Sequence, residues 1–261
     1  TCIVIDDNST DGTSGKIKMN YPEIPIVHGN GNLFWGGGIN AGLDYLRMHY
    51  SLKSSDLVAF ANNDIIFEKD TIQKMVFYIT QNHLTVCHPL TFDKNGYCVS
   101  SGMKVLNWPF FITSHPFRGK HRNDIPDSTL SQIDIAPSRF LLFSKAALDT
   151  CSRIDTKRFR HYGGDNDFSY TLNKNGFPCY IVTGARCVLD TETTGLNWNQ
   201  QKSFFQFITT LFSLRSTNNI RIRLLFGMKH CPWYWFPLYC FSIFAQVLIL
   251  NLVINRKSKK S

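Results

Sequence analysis

Three acidic clusters stand at the ends of apolar runs, where a sheet protein would place its site residues. Residues 6–7 (DD) close the run CIVIDD, residues 62–64 (NND) close DLVAFANND, and residues 165–167 (DND) open an amphipathic stretch. In an open α/β sheet the carboxyl ends of the parallel strands share one rim, so these acids can converge. Carboxylates gathered at one rim repel each other unless a cation lies among them. The set indicates a divalent cation bound with a diphosphate, although each cluster alone is equally typical of helix caps and turns.

A glycine-rich stretch, NLFWGGGINAGLDYL at residues 32–46, raises a second question of phosphate binding. A Walker-type loop requires lysine and a hydroxyl residue after its glycines, and neither is present, so this is not that loop. Residues 36–38 are predicted to let the backbone pass close to a ligand, before a helix that begins at Ile39 and whose first amides favour an anion. The alternative is a tight turn that packs the helix on the sheet.

The elements that must position these residues alternate along the chain. Apolar runs predict strands at residues 2–7, 24–30 and 56–64, and helical spacing predicts helices over 39–50, 68–79 and 165–177. A strand and a helix start follow at 140–150, and a last strand at 179–190. Residues 88–135 have no long periodic segment and are predicted to pack irregularly or to bind an acceptor. The alternation predicts an α/β fold with a mostly parallel sheet flanked by helices.

Composition limits the partners. The 261 residues carry a net charge of +9 and 43% apolar residues, enough for one large domain or two small ones. A basic balance favours anionic partners, and because no nucleic-acid-reading motif is present we expect a membrane surface and no nucleic acid. Residues 233–254 contain no charge and precede a basic tail, which predicts a membrane-inserted or interfacial hydrophobic helix. Pro237, Gln246 and Asn251 weaken this interpretation, and a buried amphipathic helix is the alternative.

The eight cysteines form no C-x-x-C pair and have no zinc-like spacing to histidine. They are predicted to be reduced thiols of a cytosolic protein.

Four stretches in this order resemble the family 2 glycosyltransferases, which have the GT-A fold: VIDDNSTDGT, NLFWGGGINAGL, ANND and YGGDNDFSYTLNKNGF. The likeness covers about residues 1–195 and includes rhamnosyltransferase-like members. It implies an inverting transfer of a sugar from a UDP- or dTDP-sugar, with Mg²⁺ or Mn²⁺ held by Asp64 and with Asp165 as the catalytic base. By the same likeness the donor nucleotide is bound by Asp6, Asp7, Ser9, Asn32, Gly37, Gly38, Asn40 and Asn63, and the acceptor by Tyr162, Gly164 and Asp167.

The chain also departs from the family pattern. The family usually begins with one more strand and helix, and because the sequence opens at Thr1 within a predicted strand we expect a truncated start. The position of the histidine that often follows the last core strand falls near Asp190. Arg139, just before the run FLLF, is a further candidate to neutralise a diphosphate.

The resulting expectation is an enzyme on the cytoplasmic face of a bacterial membrane that builds surface polysaccharide on a saccharide or lipid-linked acceptor. Its predicted regions are a catalytic domain (1–195), a connecting helical region (196–232) and a membrane-associated end (233–261). The alternatives are a nucleotidyltransferase on a similar fold and an inactive, truncated chain that binds nucleotide or membrane.

Overall fold

The computed structural model describes residues 1–190, 211–213 and 219–246. Its strands are β1 (Val4–Asp6), β2 (Ile26–His28), β3 (Leu57–Ala61), β4 (Ile65–Phe67), β5 (Val86–Phe92), β6 (Cys98–Ser100), β7 (Lys104–Asn107), β8 (Ile112–Ser114), β9 (Leu130–Ile133), β10 (Phe140–Ser144) and β11 (Cys179–Leu189). Its helices are α1 (Thr13–Asn20), α2 (Phe34–His49), α3 (Thr71–Gln81), α4 (Lys145–Thr150), α5 (Gly164–Lys174), α6 (Ile220–His230) and α7, described over 236–246.

The main sheet has the strand order β3-β10-β5-β11-β4, with β6 paired to β5 and β9 to β11. β11 and β5 are parallel, whereas β10 runs antiparallel to both β3 and β5. β1 and β2 form a separate parallel pair. The predicted α/β fold is confirmed, and the sheet is mixed.

Side chains alternate along β10 and so build a core on each face of the main sheet. Leu141 and Phe143 join the larger core, to which α5 contributes Phe168. Phe140 and Leu142 join the other core with α3. The sheet is therefore covered by helices on both faces.

Helix α2 connects the β1–β2 pair to the main sheet. A Cβ at Gly42 would lie 2.9 Å from Ile5 of β1, and Leu43 belongs to the core that contains Val58 and Phe60 of β3. Within the described ranges, β1 and β3 each pair with another strand on one edge only. The expectation of a preceding strand and helix stays a prediction.

The start of α2 corrects the sequence interpretation. The helix begins at Phe34, not at Ile39, and the three glycines lie inside its first turns. A Cβ at Gly36 would lie 3.0 Å from Thr156 Cγ2 and 3.1 Å from Ile154 Cγ2. Gly36 thus allows α2 to pack closely on the loop before α5, and the alternative of a tight turn is not observed because these glycines are helical.

Residues 88–135 are also more regular than their sequence indicates, since they contain most of β5 together with β6 to β9. Pro89 concealed β5, because proline lacks the N–H that a central strand uses. It is tolerated here because the ladder with β10 is confined to Val86 and Cys87. After these two paired residues, the side chain of His88 contacts β10 instead: its Nδ1 donates to the Phe140 carbonyl at 3.1 Å.

The C-terminal helices pack on the β7–β8 region. Ile220 of α6 and Tyr239 of α7 share a core with Trp108 and Phe111. None of the helices in the described ranges combines enough length and apolarity to cross a membrane. Residues 247–254 of the predicted hydrophobic helix lie outside those ranges, and the three predicted regions stay predictions.

All eight cysteines are free thiols. The expectation that they are reduced agrees with this.

Candidate functional site

Asp6 shapes the loop between β1 and α1. Its Oδ1 accepts a hydrogen bond from the Ser9 amide at 2.8 Å, and its Oδ2 accepts one from the Ser14 hydroxyl. These bonds favour the carboxylate and lower the pKa of Asp6 to about 2. The Ser9 side chain is exposed. Nucleotide contacts of Asp6 and Ser9 stay predictions.

Asp7 holds the start of α2. Its Oδ1 accepts the Gly31 amide at 2.7 Å, and its Oδ2 accepts the amides of Leu33 at 2.8 Å and Phe34 at 3.3 Å. It thereby satisfies donors that a helix start leaves unpaired. Asn32, between these amides, is exposed.

Asn40 ties α2 to the loop that leads into α5. Its Nδ2 donates to the Ile154 carbonyl at 3.0 Å, and its Oδ1 accepts the Ile154 amide at 2.9 Å. Arg153 strengthens the same junction through two bonds to Asp44. Asn40 is buried and both of its side-chain polar atoms are paired with the Ile154 backbone, so it holds this junction together. Its nucleotide contact stays a prediction.

Asp64 lies in the turn between β3 and β4 beside the exposed Asn63. Its Oδ2 forms an ion pair with Arg139 Nη1 at 2.7 Å. Its Oδ1 is buried and has no hydrogen-bond partner among the described residues. The Asp190 amide donates to the Asp64 carbonyl at 2.9 Å, which brings the end of β11 beside this turn.

Asp165 lies in the first turn of α5. Its Oδ1 accepts the Asn166 amide at 2.9 Å, and its Oδ2 accepts the Ser138 amide at 3.4 Å. Burial raises the pKa of Asp165, while these hydrogen bonds and the nearby charge of Arg139 partly oppose the rise. Because Ser138 and Arg139 are neighbours in the chain, Asp165 and Asp64 converge on one short segment.

Trp35 of α2 contacts the chain segments that carry Asp64 and Asp165. Its Nε1 donates to Asn62 Oδ1 at 3.0 Å, and a Cβ at Gly164 would lie 3.4 Å from its ring. The helix start that Asp7 caps therefore contacts the segments of Asp64 and Asp165. Ser138 was missed as a site residue, because its partner Asp165 lies 27 positions away in the sequence.

The acceptor candidates each contact other parts of the chain. Asp167 is buried, with Oδ1 bonded to His230 Nε2 and Oδ2 to Lys229 Nζ, each at 2.8 Å. Burial lowers the pKa of His230, so the neutral ring donates this bond. A Cβ at Gly164 would lie 2.9 Å from Ile154 Cγ2, and the half-buried Tyr162 packs on His161. Both oxygens of Asp167 bind α6, and the acceptor contacts of Tyr162, Gly164 and Asp167 stay predictions.

The donor set fits a divalent metal that uses few protein ligands. The described ranges contain no group of three or more His, Cys, Asp or Glu side chains arranged around a metal position. Mg²⁺ and similar ions are commonly held by one or two carboxylates, with phosphate oxygens and water completing the shell. The unpartnered Asp64 Oδ1 meets this need, and the metal would supply charge stabilisation for a departing diphosphate.

Known structures share the fold of this chain. The crystal structure of GalNAc-T7 with UDP, GalNAc and Mn²⁺ is similar over 72% of this chain and 37% of its own, with a TM-score of 0.52 and 12% identity. The mannosyltransferase PcManGT from Pyrobaculum calidifontis, in complex with GDP-Man and Mn²⁺, is similar over 99% of this chain and 66% of its own, with a TM-score of 0.55 and 11% identity. The chain thus spans only part of each.

A search of curated protein sequences found no significant match. The model of glycosyl transferase family 2 matches residues 1–140, more than half of the 261 residues. The chain therefore belongs to glycosyl transferase family 2.

Proposed function

We propose that this chain is an inverting, metal-dependent glycosyltransferase that moves a sugar from a nucleoside-diphosphate sugar to an acceptor hydroxyl. The observation that carries the proposal is the convergence of Asp64 and Asp165 on Ser138 and Arg139. One acid has a buried, unpartnered oxygen suited to a metal, and the other is a half-buried carboxylate with a raised pKa. These are the two groups that the reaction needs.

Asp165 acts as the general base in this proposal. The acceptor hydroxyl transfers its proton to the Asp165 carboxylate while its oxygen attacks the anomeric carbon, and the bond from that carbon to the diphosphate breaks. A raised pKa makes the carboxylate a stronger base at neutral pH. The Ser138 and Asn166 amides hold it in one orientation.

The donor side is assigned to Asp64, Asn63 and the loops that Asp7 and α2 hold in place. UDP or dTDP is the proposed nucleotide, and GDP belongs in the same test because PcManGT was solved with GDP-Man. We expect one of these diphosphates to bind with Mn²⁺ in calorimetry, and Asp64→Ala to abolish the metal dependence. If none binds to the folded wild-type chain, the donor site is refuted.

The acceptor is proposed to be a saccharide or lipid-linked saccharide at the cytoplasmic face of a bacterial membrane, as in surface polysaccharide synthesis. Exposed aromatic side chains on the C-terminal part support a membrane surface: Trp233 is 85% exposed and Phe241 is 68% exposed. The net charge of +9 favours an anionic bilayer.

A further inference from the structure

Arg139 stands between the two acids of the candidate site. Its Nη1 donates to Asp64 Oδ2 at 2.7 Å, and its carbonyl accepts the Asn62 amide at 2.8 Å. Its charge also acts on Asp165. Both the backbone and the guanidinium of Arg139 are therefore fixed by the turn that carries Asp64.

The guanidinium is only partly used by this contact. It has five N–H donors, yet among the described residues only Nη1 forms a hydrogen bond. The side chain is 28% exposed, so its other donors can reach a ligand. The partner carboxylate is used in a similar way, because Asp64 Oδ1 has no partner in the described chain.

Unused cationic donors and an unused carboxylate oxygen thus lie side by side. An anion that carries its own divalent cation suits both, since the cation binds the carboxylate and the anion binds the guanidinium. Guanidinium groups bind phosphate oxygens through paired N–H donors, which a point charge such as lysine cannot reproduce.

We propose that Arg139 binds the donor diphosphate directly, as a second cation beside the metal on Asp64, and that Asp64 Oδ2 holds the guanidinium in place. The inference rests on the proposed glycosyl transfer. When the bond from the anomeric carbon to the diphosphate oxygen breaks, the electron pair stays on that oxygen, and Arg139 stabilises the charge that develops there.

The test uses two probes whose responses should have opposite signs. Inorganic pyrophosphate in EDTA reports the anion site without metal or base, and Mn²⁺ alone reports Asp64. In calorimetry we expect Arg139→Gln to weaken pyrophosphate binding by about tenfold or more. The same variant should bind Mn²⁺ more tightly, because a positive charge beside Asp64 is removed. Arg139→Lys should restore only part of the pyrophosphate affinity.

Arg122→Gln is the matched control. Arg122 forms a comparable ion pair with Glu68, 2.8 Å long, and this pair includes neither Asp64 nor Asp165. It should change neither affinity. Weaker binding of both probes by Arg139→Gln would show that Arg139 only maintains the local structure. Unchanged pyrophosphate binding, or none by the wild type, would also overturn the inference.

If wild type and Arg139→Gln bind the nucleoside diphosphate with Mn²⁺ equally well, the inference fails and the proposed function stands. If neither binds any nucleoside diphosphate, the proposed function fails.

Discussion

At the scale of single residues, Asp165 has a cost to folding that its chemistry requires. Because its folded pKa is raised, its contribution to stability is fully present below the ordinary Asp pKa and is lost as pH rises through the raised value. Ionised Asp165 therefore destabilises the folded state at neutral pH. We expect Asp165→Asn to reduce kcat by about 10²- to 10⁴-fold while the melting temperature at pH 7 stays equal or rises.

The control for this prediction is the pH dependence of the stability difference between the wild type and Asp165→Asn. Below about pH 4, wild-type Asp165 is protonated as well, so the two proteins should converge in stability. A variant that melts earlier than the wild type at pH 7 would show that the carboxylate is structural and would count against its role as a base.

Asp6 illustrates the opposite sign. Its pKa is lowered from 3.8 to about 2, so its stabilisation is present above pH 3.8 and is lost as pH falls toward 2. Asp6→Asn should lower the free energy of unfolding by about 1–3 kcal/mol at pH 7, because the bonds from Ser9 and Ser14 are weakened. Urea unfolding at pH 7 and near pH 2 checks this. A difference that persists at the lower pH would mean that packing, and not charge, is responsible.

At the scale of elements, local patterns predicted what is locally determined. The strand before Asp6 and the helix that begins beside Asp165 are set by apolar spacing and polar boundaries, and both are present. Strand β5 was not predicted because it contains Pro89. This proline is tolerated only because β10 pairs with β5 at Val86 and Cys87 and not beyond, which the local sequence does not show. Asp64 and Arg139 are separated by 75 positions, so no local pattern could show that they pair.

The contact between α5 and α6 gives an element-scale prediction. Asp167 is 2% exposed and binds Lys229 and His230, so removing its charge leaves Lys229 of α6 with only the longer ion pair to Asp155 at 3.8 Å. Asp167→Asn should lower stability by about 1–3 kcal/mol and speed amide hydrogen exchange across α6 before α3 is affected. Asp149→Asn, which loses an exposed ion pair with Lys145, should have little effect. Equal loss of protection in α3 and α6 would contradict a local role.

At the scale of the whole molecule, charge and exposed aromatic surface point to the same partner. A chain with a net charge of +9 should bind anionic vesicles in a salt-dependent way. Trp233 and Phe241 are exposed in the C-terminal part, where insertion into the bilayer interface would bury them.

Trp233→Ala combined with Phe241→Ala should therefore weaken binding to vesicles of phosphatidylserine and phosphatidylcholine by about tenfold. The double variant lacks the two rings whose apolar surface would be buried in the bilayer interface. Phe77→Ala is the matched control, because Phe77 is 58% exposed on α3 and lies outside this surface. Co-sedimentation at low and high salt separates the electrostatic contribution from the aromatic one. Added salt should weaken vesicle binding by the wild type and by the double variant, and the double variant should bind more weakly at each salt concentration. Equal binding by the double variant and Phe77→Ala would assign the attraction to charge alone and refute the aromatic contact.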